Sequence, residues 1–314
     1  MSLSQEFTGG PEDGVASVNI TACKGVCKDM GHGVSEWVDR LVEGRHPSPA
    51  LEKVVGVLRS DPELCAFATT QDLAQAAGVN VATVTRTAQF LGFTGWPAFV
   101  IDYRGQYLAT LTAGQLLSGG EQGSVGVRGL ASVLEDVRIL RVLAEALDEQ
   151  AIAQAAELLR RARRGVVLAT GVYSGPATQL AHSAQLLGCD LSLHEGSVSS
   201  QMTAVRRLES EDVLITFNIW KTTEAVNQLA LVAAERGVPL VAFIDRSTPV
   251  AEAADVAITV PSESPRYLPS TIPVVSAIQA LLAEFAEQDR PAAQRHLRES
   301  DEWWRRFGVI PGSS

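Results

Sequence analysis

From Gly165 onward, short apolar runs alternate with segments long enough to be helices. The runs VVLAT (166–170), VLITF (213–217), PLVAFI (239–244) and VAITV (256–260) are almost unbroken and rich in β-branched residues. That is the pattern of strands covered on both faces. Between them, Val226, Leu229, Ala230 and Ala233 fall at i, i+3, i+4 and i+7, one face of a helix, and Ile278, Leu281, Leu282 and Phe285 repeat the spacing. Strands alternating with helices predict a parallel sheet with helices on both sides. Such a sheet takes ligands at the carboxyl ends of its strands, which places the candidate loops at 171–176, 218–224, 245–249 and 261–268.

The first third of the chain has a different texture. Residues 1–32 follow neither period and read as a mobile leader. The pattern over 33–111 is helical and local. A Gly/Ser-rich stretch at 112–129 reads as a linker, an amphipathic helical stretch covers about 130–163, and 291–314 reads as a helical tail after an α/β domain spanning 130–290. In the tail, Trp303, Trp304 and Phe307 sit beside Arg305 and Arg306, which suits a helix packing back on the domain or across a dimer.

The segment Thr70–Gly95 carries the most specific local signals. Thr70 is a candidate N-cap, Asp72 lies in the first turn, and Leu73, Ala76 and Ala77 form a candidate buried face. Gly78 supplies the left-handed residue of a tight turn, and Asn80 caps a second helix. On that helix Val84, Ala88 and Leu91 point inward and leave Thr83, Thr85, Arg86 and Gln89 for solvent. Two short helices about a glycine turn are helix-turn-helix geometry, with the second helix laid in the major groove. Thr and Gln meet base edges or phosphates there, and Arg reaches phosphate or guanine. Spacing alone leaves a plain helical bundle without DNA binding as the other reading.

Composition narrows the function classes. Hydrophobic residues make up 46% and charged residues 20%, a globular balance, and the net charge of −10 argues against a molecule coated in base for nonspecific nucleic-acid or membrane binding. The four cysteines, at 23, 27, 65 and 189, are too dispersed for a disulfide scaffold and suit a reducing compartment. Polar residues interrupt every apolar run, and the N-terminus lacks the apolar core of a signal peptide, so a cytoplasmic protein without membrane contact is expected. Cys23-x3-Cys27 with His32 lacks a second ligand pair, and the five histidines show no ligand spacing. No metal or cofactor is expected.

The stretch DLAQAAGVNVATVTRTAQFLGFTGWPAF resembles the N-terminal domain of RpiR-type transcription regulators. The matching positions are Leu73, Ala74, Ala77, Gly78, Val79, Ala82, Thr83, Val84, Arg86, Leu91, Gly92, Phe93 and Gly95. Asn80 stands where a serine cap is usual, Thr87 replaces phenylalanine, and Gln89-Phe90 stands where basic residues are common. Residues 165–286 resemble the SIS domain, a sugar-isomerase-type fold that follows this helix-turn-helix in the family. The pieces come in the same order: a strand and Gly171 loop, a helix to Gly188, a strand at 189–193, and then the three later strands. The resemblance implies α/β with an all-α N-terminal domain: a helix-turn-helix bundle followed by a SIS-type parallel α/β/α sandwich.

The same resemblance implies a phosphate site. SIS domains hold phosphate in a loop of the form S-x-S-G-x-T before a helix, where unpaired N–H groups and hydroxyls receive an anion. In this chain the loop reads Phe217, Asn218, Ile219, Trp220, Lys221, Thr222. Both serines and the glycine are replaced, and Thr222 alone matches, with Thr223 beside it. Lys221 offers a charge in place of lost hydroxyls; alternatively Thr222 is a cap and Lys221 a solvated base. Ser174 in the first loop, and Ser199 and Ser200 after Ser197, face the same end of the sheet or cap their helices. Tyr173 and Trp220 would narrow the pocket or offer a stacking surface. Glu263 stands where SIS enzymes carry a glutamate after the last strand, either as a base for aldose–ketose isomerisation or as a ligand-side or solvated residue.

The expectation is a non-enzymatic regulator. Operator DNA is bound through Asn80, Thr83, Thr85, Arg86 and Gln89 of a homodimer or homotetramer. A small anionic metabolite of sugar-phosphate type is bound by Ser174, Ser199, Ser200, Lys221, Thr222, Thr223 and Glu263. Coupling between the two is expected through the linker and the 130–163 helix. The alternatives are a sugar-phosphate isomerase and a SIS module without DNA binding.

Overall fold

The computed structural model of the protein describes residues 33–111, 128–261 and 269–309. The expected leader, most of the expected linker and the loop holding Glu263 lie outside the described residues. Six helices make up the N-terminal part: α1 (Val34–Val42), α2 (Pro49–Ser60), α3 (Pro62–Phe67), α4 (Thr70–Ala77), α5 (Val81–Phe90) and α6 (Trp96–Thr110). Their shared core runs from Val38, Val55 and Leu58 through Leu73, Val84 and Leu91 to Phe99 and Tyr103. The Tyr103 hydroxyl donates to the Leu58 carbonyl at 2.6 Å, so the one polar atom of this buried ring is satisfied.

Local chemistry sets the turn between α4 and α5. The cap of α4 is Thr69, not Thr70. Its hydroxyl accepts from the Asp72 N–H at 3.2 Å, and the Asp72 carboxylate accepts from the Thr69 N–H at 3.1 Å. Thr69 has the extended backbone that a cap needs, whereas Thr70 is already helical. Leu73, Ala74 and Ala77 form the buried face, and Ala76 is exposed. Gly78 closes the helix at φ 62°, where a β-carbon would be strained. Asn80 then caps α5, its side-chain oxygen accepting from the Thr83 N–H at 2.9 Å.

The second part begins with α7 (Arg128–Ala146) and α8 (Glu149–Arg161), two helices where a single stretch is expected. Asp148 divides them by accepting from the N–H groups of Gln150 and Ala151. Five parallel strands follow: β1 (Gly165–Leu168), β2 (Leu191–His194), β3 (Val213–Asn218), β4 (Leu240–Ile244) and β5 (Val256–Thr259), in the spatial order β2-β1-β3-β4-β5. The register aligns their carboxyl ends: Leu168 lies beside His194 and Thr216, and Asn218 beside Ile244. Helices α9 (Ser174–Leu186), α10 (Val198–Arg206), α11 (Glu224–Glu235), α12 (Pro249–Ala253), α13 (Ile272–Gln288) and α14 (Arg290–Arg306) complete the chain.

Alternate strand residues feed two cores. Val167, Ile215, Phe217 and Phe243 face α8, α9 and α13, while Val166, Leu168, Leu214 and Ala242 face α10, α11 and α12. Both faces are covered, which explains why the strands read as continuous apolar runs. From Gly33 to the end the contacts form one unit, so the helical part and the sheet part pack on each other. Among the described residues no helix is long and apolar enough to cross a membrane.

Replacing Asn80 by alanine should cost about 1 kcal/mol of unfolding free energy, and replacing it by serine should cost almost nothing, because serine caps equally well. Urea denaturation of the two variants beside the parent checks this.

Candidate functional site

Two surfaces carry chemistry, and α6 lies between them. The first is α5. Arg86 and Gln89 are exposed and Thr85 is half-buried. Thr83 is not on this surface. It is 6% exposed, and its hydroxyl donates to the Asn80 side-chain oxygen at 2.9 Å. Helical periodicity pointed Thr83 outward because it carries no information about a hydrogen bond back to the cap. Asn80 is itself exposed, but its oxygen is occupied by Thr83. Val81 and Ala82, at the start of α5, are exposed and escaped the sequence reading; their position directly after the cap is the signal that marks them. At the other end of α5, the Arg45 guanidinium donates to the Phe90 carbonyl and places a cation at the negative end of the helix dipole.

The charge of this surface is sparse. Arg59 is engaged by Asp39 and Glu52, and Arg104 is buried. Among the described residues of the helical part, Arg40, Arg45, Lys53 and Arg86 are the exposed bases.

The second surface is the crevice at the carboxyl end of the sheet. The strand order reverses between β1 and β3, so the loops after these two strands diverge to opposite faces and leave a gap. Tyr173 enters from the β1 side and Trp220 from the β3 side. Tyr173 is 5% exposed, its ring stacks parallel to Phe217 at 6.5 Å, and among the described residues its hydroxyl has no hydrogen-bond partner. The Trp220 indole packs against the same core, and its buried N–H also lacks a partner. Two shallow cavities of about 300 Å³ lie elsewhere, against the faces of α9, α13 and α14. Both aromatic side chains pack into the core at the base of this gap.

Trp220 holds the geometry of the loop. It stands at the position that the family pattern gives to glycine, and it keeps the left-handed backbone, φ 55°, among the described residues the one case outside glycine. Such a conformation costs a residue with a β-carbon about 1–2 kcal/mol. Both of its peptide groups are held in place: its N–H donates to the Asp245 carboxylate at 2.7 Å, and its carbonyl accepts from the Arg246 guanidinium at 2.7 Å. Arg246 also pairs with Asp245 at 2.8 Å. Lys221 is exposed, its ammonium 5.6 Å from the Trp220 ring centroid.

The remaining candidates are arranged unevenly. The Thr222 hydroxyl donates to the Phe217 carbonyl at 3.4 Å, which closes the loop. The cap of α11 is Thr223, which makes no side-chain capping bond, so the first-turn N–H groups of α11 lack a side-chain acceptor there. Glu224 in that turn opposes an anion. Ser174 opens α9 beside Tyr173 and is half-buried. Ser199 and Ser200 are exposed in the first turn of α10, beyond the edge strand β2, and Ser197 caps that helix by accepting from the Ser200 N–H. The structure therefore groups Ser174 and 221–223 about the β1–β3 gap and leaves Ser199 and Ser200 at the margin. Among the described residues no group of three or more His, Cys, Asp or Glu is placed to hold a metal ion.

The helical part meets the sheet part next to this crevice. Asp102 on α6 accepts from the Ser247 N–H at 2.8 Å, and the Gln106 side-chain amide donates to the Ser247 carbonyl at 3.1 Å. Gly105 lies between them against the backbone of residue 245; a β-carbon there would come within 2.4 Å of the Asp245 carbonyl oxygen. Burial pushes the Asp102 carboxyl up to about 6 from 3.8, with Asp245 adding to the rise and Ser247, Gln106 and Arg246 opposing it. Burial, and then the Asp245 charge, push the Tyr173 hydroxyl upward, which keeps it a neutral donor at physiological pH.

These features define a class: a helix-turn-helix module joined to a doubly wound α/β domain with a switch-point crevice. Residues 45–109 match the helix-turn-helix domain of the rpiR family. Among solved structures, the sugar isomerase domain of an RpiR transcription factor from Sphaerobacter thermophilus is 25% identical, with a TM-score of 0.54, and the match covers 56% of this chain and 99% of that one. The Vibrio vulnificus NanR protein complexed with ManNAc-6P shares the fold over 89% of this chain and 100% of its own, with a TM-score of 0.56 at 18% identity. No curated protein matches the chain. Residues 45–109 thus carry an rpiR-family type of helix-turn-helix domain, and the α/β domain after it is similar to the sugar isomerase domain of an RpiR transcription factor.

Two outcomes are expected in the free protein. Tyr173→Phe removes a buried hydroxyl that has no partner, so stability should stay level or rise by about 1 kcal/mol in thermal or urea unfolding. For Asp102, the folded protein keeps a proton that the unfolded chain has released between about pH 4 and 6. Its contribution is fully present below the lower value and is lost as pH rises through the upper one. Asp102→Asn should flatten the fall in stability across that window and leave the protein more stable at neutral pH, as read by urea unfolding against pH.

Proposed function

We propose that the protein is a cytoplasmic transcription regulator that binds operator DNA through α5 and changes its DNA affinity when an anionic sugar-phosphate-type metabolite occupies the β1–β3 crevice. One observation carries this reading. A single chain joins an rpiR-family recognition helix with an exposed N-terminal half to a switch-point crevice where two buried donors, the Tyr173 hydroxyl and the Trp220 indole N–H, await an acceptor.

On the DNA side, Arg86 and Gln89 address base edges or phosphates, Thr85 supports them, and Asn80 fixes the helix start. Val81 and Ala82 offer apolar contacts of the kind that thymine methyl groups meet. The few exposed bases limit phosphate neutralisation per chain, so operator binding requires a homodimer or higher oligomer. The stripe of Leu130, Val133, Leu134 and Val137 along α7, between 43% and 61% exposed, is a surface that a second copy would bury. On the ligand side, Lys221 supplies a point charge, and the open start of α11 at Thr222 and Thr223 supplies N–H donors. Ser174 adds a hydroxyl, with Ser199 and Ser200 at the margin.

Isomerase turnover is not part of the proposal. The one described carboxylate at the centre of the crevice, Asp245, is committed to Trp220 and Arg246 and is not positioned as a free base.

A gel-shift titration on the protein's own promoter tests the DNA arm: Arg86→Ala should weaken binding by about 1–3 kcal/mol. Calorimetry with hexose phosphates, ManNAc-6P among them, tests the ligand arm. Lys221→Ala should weaken binding in a salt-sensitive way, and Thr222→Val should cost less and depend little on salt. Equal affinity in parent and Lys221→Ala would remove the anion site from this loop. Proton exchange on the same sugars, followed by NMR, should stay at background; exchange that disappears in Glu263→Gln would replace the regulator with an enzyme.

A further inference from the structure

Three consecutive residues touch both functional parts of the chain. On one side, Asp245 and Arg246 hold the two peptide groups of Trp220, the crevice residue with the left-handed backbone. On the other side, Ser247 is held at its N–H and its carbonyl by Asp102 and Gln106 of α6, and Gly105 rests on the Asp245 backbone. Phe99 and Tyr103 of the same helix lie in the core that also contains Val84, Ala88 and Leu91 at the base of the recognition helix. An unbroken set of close contacts therefore runs from the crevice to α5.

We propose that residues 245–247 are a relay through which the position of the Trp220 loop sets the position of α6, and hence of the DNA-binding helices. The Tyr173 hydroxyl and the Trp220 indole N–H are buried, so a ligand that reaches them displaces the loop. Displacement costs Trp220 its bonds to Asp245 and Arg246. The backbone of 245–247 cannot shift without moving α6, because at Gly105 the two backbone segments already touch without an intervening side chain. A packed contact of this kind has discrete arrangements, and a ligand that favours one of them shifts the population. The physiological input rests on the ligand-modulated regulation proposed above; the mechanical link is testable with no ligand at all.

Amide hydrogen exchange on the full chain tests the link. Trp220→Gly relaxes the loop, and Arg246→Ala removes its two bonds; each should speed exchange in 102–108 of α6 by about five-fold or more while the helical core around Leu58 and Leu91 keeps its protection. In the reverse direction, Asp102→Ala combined with Gln106→Ala should speed exchange in 219–223 without touching the crevice. Acceleration confined to each variant's own neighbourhood would overturn the relay, as would a uniform loss of protection in both crevice variants.

A second measurement separates relay from function. In the parent, ManNAc-6P or another hexose phosphate shown by calorimetry to bind should change DNA affinity by a factor of about 5–150. In Asp102→Ala/Gln106→Ala, DNA and ligand should each still bind, but that factor should fall toward 1. An unchanged factor overturns the relay and leaves the regulator reading standing. Absence of any ligand or DNA binding in the parent overturns the regulator reading, while the exchange experiment still decides the mechanical link.

Discussion

A carboxylate with no exposed surface holds the crevice together. Asp245 directly follows strand β4 with its side chain fully buried, and it is held by the Trp220 N–H and the Arg246 guanidinium. A buried charge is tolerated only when its hydrogen bonds are supplied. The loop in turn needs Asp245, because a tryptophan in a left-handed conformation persists only where its surroundings over-determine it. Each part of the triad is unfavourable alone and stable only with the other two. Such a network responds to perturbation as a unit, unlike a row of independent contacts.

Helix α6 extends that unit into the DNA-binding domain. It is buried on nearly every side, from Phe99 through Gly105 and again at Leu108, as a helix is when it lies between two bodies. Gly105 in a helix interior is disfavoured by about 0.5–1 kcal/mol relative to alanine. The close approach of the Asp245 carbonyl explains why no larger residue serves there. The Asp102 carboxylate adds a polar lock whose hydrogen bonds favour the charged form while burial opposes it, so its net contribution to stability is smaller at neutral pH than in acid. A contact built from close packing and two hydrogen bonds to one residue is specific in position without being strong.

What the sequence reveals follows from how local each cause is. Strands covered on both faces leave continuous β-branched runs, so the sheet was readable from residues 166–260. The Gly78 turn and the Asn80 cap depend on neighbours within three positions and were equally readable. Adjacent threonines at 69 and 70 hid the true cap, which only backbone angle and the reciprocal bond to Asp72 decide. Thr83 was misplaced because a helical wheel ignores side-chain bonds to the cap. The replacements at 217–222 were visible as departures from the family pattern, yet the reason the loop keeps its shape lies in Asp245 and Arg246, two dozen positions away. The contact of Asp102 and Gln106 with Ser247 spans more than 140 positions and leaves no local trace in the sequence.

The replaced loop bears on what the crevice recognises. A hydroxyl-lined phosphate loop satisfies an anion with small flexible donors. Here the innermost donors are the Tyr173 hydroxyl and the Trp220 indole N–H, which are rigid, directional and without partners in the free protein. Leaving a buried donor unsatisfied costs about 1–3 kcal/mol, a penalty that a ligand acceptor relieves on arrival. In the proposed site, selectivity would then depend on whether the ligand supplies acceptors to these donors, more than on total charge, and a ligand lacking such an oxygen would leave the penalty in place. Because Trp220 is one of these two donors and is held by the triad, the donor proposed for the ligand and the peptide that anchors the loop belong to the same residue.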